Sequence, residues 1–153
     1  MRSNLDQLQT LDTNLGKIEE WLHENKKQIE KDIQVNDKQL KNVLTEQLHI
    51  QSQVEDYRIE AEYLLKEFDD LCEKIKSESI DDLINNKNKD YSISEAKSVV
   101  GKNNDYVVMK KYYNRCYKAY SELKYLSELV TTRKYVLNNI TNAVVNSVED
   151  TIL

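Results

Sequence analysis

Residues 105–148 read DYVVMKKYYNRCYKAYSELKYLSELVTTRKYVLNNITNAVVNSV. Alternating steps of three and four from Met109 pass through Tyr112, Cys116, Ala119, Leu123, Leu126, Val130, Arg133, Leu137, Ile140, Val144 and Ser147. Only Arg133 and Ser147 interrupt an otherwise apolar stripe. A repeat averaging 3.5 residues marks a helix that packs along a seam against other helices. About 43 residues rising 1.5 Å each make a rod of roughly 65 Å, too long to bury its own stripe. The spacing therefore predicts a partner helix from the same chain, from another copy, or from both. It makes Met109 through Val144 the expected oligomerisation seam. Arg133 stands out in it, because a charge in an apolar seam costs several kcal/mol unless it is paired. Either an acid on a neighbouring helix meets it, or it faces a polar lumen.

The same stretch carries the basic charge of an acidic protein. Residues 93–148 hold nine Lys and Arg against four Asp and Glu, while residues 1–92 hold thirteen against twenty-one. Tyr106, Tyr112, Tyr113, Tyr117, Tyr120, Tyr125 and Tyr135 are interleaved with the cations. Cations for phosphates beside aromatic faces for bases is the chemistry that single-stranded nucleic acid binding requires. Lys110, Lys111, Arg115, Lys118 and Lys134 are the candidate phosphate contacts, and Tyr113 and Tyr117 the candidate base contacts. Lys111, Arg115 and Lys118 share one helix face, and Lys110 lies off it. The same lysines also suit an ordinary solvated helix face, and a tyrosine at a seam position such as Tyr112 suits a core.

Of 153 residues none is proline and two are glycine, Gly16 and Gly101. With 32% charged and 39% hydrophobic residues in periodic order, the chain reads as helical rather than β-rich or disordered. The expected fold is all-α: an elongated protomer of long, coiled-coil-like helices that forms a helical oligomer. Three segments are expected: an acidic helical region over 1–76, a connection with short helices over 77–104, and the basic, aromatic oligomerisation helix over 105–153. In the first, a stripe runs from Leu8 to Ile75 with a stutter at Ile18, Leu22 and Lys26, which locally unwinds a supercoil. Lys26, Asn36 and Gln47 put polar groups on that seam. The region is either one helix or two with a bend near Gln34–Asp37. In the connection, Ser79 with Asp82 three residues on offers a helix start, and Asn85–Asp90 is a polar loop. Ser92-Ile93-Ser94-Glu95 is a capping box opening a short helix to about Val100. Gly101 is expected to close it in the left-handed conformation, and Asn104 or Asp105 to cap the long helix.

No motif carries enzyme chemistry. His23 and His49 lack acidic or cysteine partners at metal spacing, so neither metal nor cofactor is expected. There is no glycine-rich phosphate loop and no nucleophile elbow. The paired acids Glu19-Glu20, Asp69-Asp70 and Asp81-Asp82 are adjacent, and neighbours on a helix point apart. Cys72 and Cys116 read as free thiols. No run approaches a membrane span and Met1–Asp6 lacks the apolar core of a signal peptide, so a cytoplasmic location without membrane contact is expected.

From Ser94-Glu95-Ala96-Lys97-Ser98-Val99-Val100 through Asp105 and into the long helix, the chain resembles the UvsY family, the recombination mediators of T-even-type phages. The family places a similar Ser-Glu-x-Lys-Thr-Val-Leu segment before a C-terminal oligomerising helix. The same ungapped register brings Arg133 and Ile140 onto a family arginine and isoleucine, and Trp21-Leu22 is similar to a pair in the family's N-terminal half. Agreement covers about residues 94–140. The family's Lys-x-Arg pair, followed by an apolar residue and a tyrosine and implicated in single-stranded DNA binding, has its nearest counterpart in Arg58-Ile59-Glu60-Ala61-Glu62-Tyr63. Arg58 and Tyr63 fit, but Glu60 stands where the second cation belongs. The resemblance implies a homo-oligomer, a closed ring, that binds single-stranded DNA, helps displace the single-strand-binding protein and promotes recombinase loading, in the host cytoplasm for a phage-encoded chain. The rival expectation is a non-enzymatic structural or tethering coiled-coil subunit of a larger assembly.

Overall fold

The computed structural model describes residues 4–33, 40–85 and 91–152, with side chains at 4–33, 42–85 and 91–148. Among these residues there are four helices and no strand: α1 (Asn4–Asp32), α2 (Leu40–Asn85), α3 (Ile93–Val100) and α4 (Asn104–Ile152). The N-terminal region therefore holds two helices. The bend expected near Gln34–Asp37, the seam position Asn36 and the loop at 86–90 lie outside the described residues.

The chain divides into two compact units, and each long helix contributes to both. Unit 1 comprises residues 1–19 and 60–120. Its core takes Leu11, Leu15 and Ile18 from α1, Ala61, Leu64, Phe68, Leu71 and Cys72 from α2, and Met109, Cys116 and Ala119 from α4. Phe68 stacks on Tyr112 with ring centroids 6.1 Å apart, and the Cys116 thiol donates to the Ala61 carbonyl at 3.7 Å. Partners on α2 fall in number as those on α4 rise, so the two helices run antiparallel here. Burial pushes the Cys116 thiol up to about 11 and raises that of Cys72, so both stay neutral.

Unit 2 comprises residues 20–59 and 121–153. Leu22 and Ile29, Val43, Ile50 and Val54, and Leu123, Leu126, Val130 and Leu137 form its core. Trp21 stacks on Tyr57 at 4.4 Å, so the protein's single tryptophan reports on this unit. The polar seam positions behave differently from one another. Lys26 stays half-exposed at the edge, 4.0 Å from Glu122. Gln47 is buried and donates from Nε2 to the Val130 carbonyl at 2.8 Å.

The local signals around α3 are resolved in detail. The Glu95 amide donates to Ser92 Oγ at 3.2 Å and the Ser92 amide donates to Glu95 Oε2 at 2.9 Å, completing the capping box. Ala96 and Val100 of α3 are buried against Leu83, with Ile80 and Tyr91 packed beside them. That contact explains why α2 continues through Ser79 to Asn85 instead of restarting there. Ile80 and Leu83 are needed on a helical face, and packing outweighs the capping preference of Ser79. Gly101 adopts φ −58°, so α3 ends in a right-handed turn and not in the expected left-handed one. The Lys102 and Asn103 amides donate to the Val99 and Val100 carbonyls. Asn103, one residue earlier than expected, caps α4: its Oδ1 accepts from the Asp105 amide at 2.8 Å and from the Tyr106 amide at 3.4 Å.

The backbone and side-chain donors of Ser92 hold the Glu95 carboxyl below its ordinary range. A depressed folded-state value means that the stabilisation is complete above the usual carboxylate range and is lost as pH falls through the depressed value. Ser92→Ala is expected to weaken that dependence without removing it, because the backbone amide of residue 92, the main donor to Glu95, is kept. Backbone carbon shifts of residues 93–96 should lose helical character on acidification in the natural chain and be weakened at all pH values in the variant.

Candidate nucleic-acid interface

Six of the eight sequence-predicted contact residues lie on α4 in unit 1. At 100° per residue they fall on two flanks, with the buried stripe of Met109, Tyr112, Cys116 and Ala119 between them and each pair of stripes roughly 120° apart. Lys111, Arg115 and Lys118 form one flank. Lys110, Tyr113 and Tyr117 form the other. The helix thus separates what composition lumped together.

On the first flank Arg115 is committed to acids of α1. Its Nε donates to both Glu19 oxygens at 3.1 and 3.0 Å, and Nη2 donates to Glu19 Oε1 at 2.6 Å and to Asp12 Oδ1 at 3.1 Å. The guanidinium also lies 5.5 Å from the Tyr112 ring. The bond to Glu19, helped by Asp12 and opposed by partial burial, leaves the guanidinium more firmly protonated than usual. Lys111 and Lys118 are exposed, and no ion pair to them is present among the described residues. Asp12 and Glu19 were missed from the sequence. Their seven-residue spacing beside the Leu11–Leu15–Ile18 stripe was the available signal, since it sets both on one edge of α1.

On the second flank the Lys110 ammonium lies 4.4 Å from the Tyr113 ring centroid, within cation–π range. Tyr113 stacks on Tyr117, with centroids 6.4 Å apart and planes 20° from parallel. Tyr113 is half-buried and Tyr117 is 54% exposed. Steps of three and four extend this flank to Tyr106 and Tyr120, both half-buried.

The remaining two candidates belong to unit 2. Arg58 donates from Nε to Glu55 Oε1 at 3.0 Å within its own helix, and this contact pulls the Glu55 carboxyl down. Glu55 also accepts from Ser127 Oγ at 3.1 Å. Arg58 is therefore engaged as an intrahelical counter-ion. In the segment that carries the family resemblance, Glu60 and Tyr63 are exposed. Lys134 is exposed and borders a groove of about 280 Å³ with Gln47, Gln51 and Leu137.

The expected oligomerisation seam is closed largely by the chain itself. Met109, Cys116 and Ala119 are buried in unit 1, with Tyr112 half-buried; Leu123, Leu126, Val130, Arg133 and Leu137 are buried in unit 2. Ile140 and Val144 are exposed, together with Val145 and Val148. Of the seam positions, Ile140 and Val144 are those available to another copy. Arg133, at 4% exposure, has among the described residues neither an acid paired with it nor a hydrogen-bond acceptor for Nε and Nη1.

These features define an all-helical chain with a lysine–tyrosine surface on its longest helix. Comparison with protein-family models, with curated proteins and with solved structures returned no match. Among the described residues no helix is long and apolar enough to cross a membrane, and no group of three or more His, Cys, Asp or Glu is placed to hold a metal ion.

Proposed function

We propose that this chain is a self-assembling, single-stranded-DNA-binding recombination mediator that promotes recombinase loading in place of the single-strand-binding protein. The observation that carries the proposal is the surface of α4 in unit 1, where Lys110, Lys111, Lys118, Tyr113 and Tyr117 all stand outside the buried stripe. Many weak phosphate and stacking contacts, repeated across an oligomer, give avidity without sequence readout. Self-assembly is supported by the far end of α4. Residues 135–148 contain no charged side chain in a protein that is 32% charged, and Ile140, Val144, Val145 and Val148 are exposed there. Identical copies meet across such a surface without like-charge repulsion. The resemblance of residues 94–140 to the UvsY family supplies the assignment to recombination.

One observation favours the structural alternative, a tethering coiled-coil subunit: Asp12 and Glu19 neutralise Arg115, the centre of one cationic flank. Native mass with and without a single-stranded oligonucleotide, at two salt concentrations, separates the two. A discrete oligomer whose affinity falls steeply with salt supports the mediator. A discrete oligomer that ignores the oligonucleotide supports the structural subunit.

A further inference from the structure

We infer that unit 2 binds a small oxyanion carrying a hydroxyl, of which hydrogenphosphate is the type, between Arg133 and the side-chain carbonyls of Gln47 and Gln51. The site is separate from the lysine–tyrosine surface, which lies in unit 1. Arg133 is a seam residue that the proposed function leaves unexplained. Four buried atoms carry the inference. Among the described residues, Nε and Nη1 of Arg133 are donors without an acceptor, and the Oε1 atoms of Gln47 and Gln51 are acceptors without a donor. Arg133 and Gln47 are each 4% exposed. Buried polar groups are nearly always bonded, so donors and acceptors left over in one unit call for a bound partner.

The helices set these groups at one level. Gln47 and Gln51 are one turn apart on α2. The Gln47 amide donates to the Val130 carbonyl at 2.8 Å, and Arg133 follows Val130 by one turn on α4. Both glutamines line the groove of about 280 Å³ whose α4 wall is Lys134, Leu137 and Asn138. Lys134, exposed and next in sequence to Arg133, adds a second cation to the rim. The same atoms select the ligand. A buried guanidinium with open donors favours a negatively charged acceptor. Two glutamine carbonyl oxygens repel a bare anion and need a hydrogen donor. Hydrogenphosphate supplies both, because it keeps a P–OH beside its charged oxygens at neutral pH. Sulfate has the same shape and charge but no hydroxyl, and the phosphodiester of a nucleic-acid backbone also lacks one.

A ligand that binds only the folded state raises Tm in proportion to the logarithm of its concentration. The test is thermal unfolding of the full chain in phosphate-free buffer, then with sodium phosphate or sodium sulfate at equal ionic strength. Titration calorimetry with phosphate reads the binding directly. At about a hundredfold excess over its Kd, phosphate is expected to raise the Tm of the natural chain by about 5 °C or more. Sulfate should raise it only as far as it raises that of Arg133→Met, by its general effect on the solvent. Arg133→Met should lose the phosphate-specific part of the rise and the heat of binding. Gln51→Met, which removes an acceptor and keeps the bond from Gln47 to Val130, should bring phosphate down towards sulfate. An equal phosphate effect on the natural chain and on Arg133→Met would overturn the site, leaving water as the partner of these atoms. A sulfate effect as large as that of phosphate, and lost in Arg133→Met, would overturn the hydroxyl-bearing ligand and the part given to the glutamines.

Discussion

Leu126→Asp is expected to unfold the protein, whereas Ile140→Asp with Val144→Asp is expected to leave it folded and reduce its native mass. The three positions lie on one helical stripe, and the sequence treats them alike. The structure does not: Leu126 is fully buried in unit 2, while Ile140 and Val144 are 37% and 50% exposed. Placing a carboxylate at Leu126 removes an apolar side chain worth about 1.5–3 kcal/mol of burial and leaves an unpaired charge in its place. Combined effects of that kind exceed about 4 kcal/mol, a large share of the whole stability of a domain. The reporter is Trp21, which stacks on Tyr57 in the same unit. Its emission should shift to that of a solvated indole in the Leu126 variant and be unchanged in the double variant. A Leu126→Asp protein that keeps its helix content and its Trp21 emission would remove Leu126 from the protomer's core.

That contrast shows how far the sequence could be read. Helical class, the long α4, the capping box at Ser92 and Glu95, and the buried stripe of α4 follow from periodicity and local chemistry, because both act within a few residues. What covers a stripe does not. A 3.5-residue repeat is the same whether the partner is another copy or the chain's own α1 and α2, and only tertiary contacts such as Phe68 on Tyr112 and Gln47 on Val130 distinguish the cases. The candidate interface was legible to the same depth. The lysines and tyrosines were visible as a composition, and the offset of Lys110 from Lys111, Arg115 and Lys118 as an angle. The neutralisation of Arg115 by Asp12 and Glu19 spans about a hundred residues of sequence, beyond any local rule. At Ser79 the local signal was present and lost, since Ile80 and Leu83 gain more from facing α3 than the chain gains from a cap.

Arg133→Met is expected to stabilise the protein. Arg133 is 4% exposed on the seam of unit 2, and its Nε and Nη1 have no hydrogen-bond partner among the described residues. The buried Oε1 atoms of Gln47 and Gln51, on α2 in the same unit, likewise lack one. Among the described residues no acid is paired with Arg133, so its desolvation is not offset there by Coulombic attraction. Replacing buried ionic groups by apolar ones of similar volume is commonly neutral or stabilising by about 1–4 kcal/mol. Methionine suits the site, being unbranched and able to fill an irregular gap. At this chain length each kcal/mol corresponds to roughly 2–4 °C in Tm, so a rise of several degrees is expected by calorimetry, with a matching increase in the urea midpoint. The sign of the change carries the information. A fall in stability that deepens with protein concentration would mean that the guanidinium meets its carboxylate on a second copy, and would make Arg133 part of the assembly surface that begins at Ile140. A rise independent of concentration would confine Arg133 to the protomer, as a buried charged position that lowers its stability.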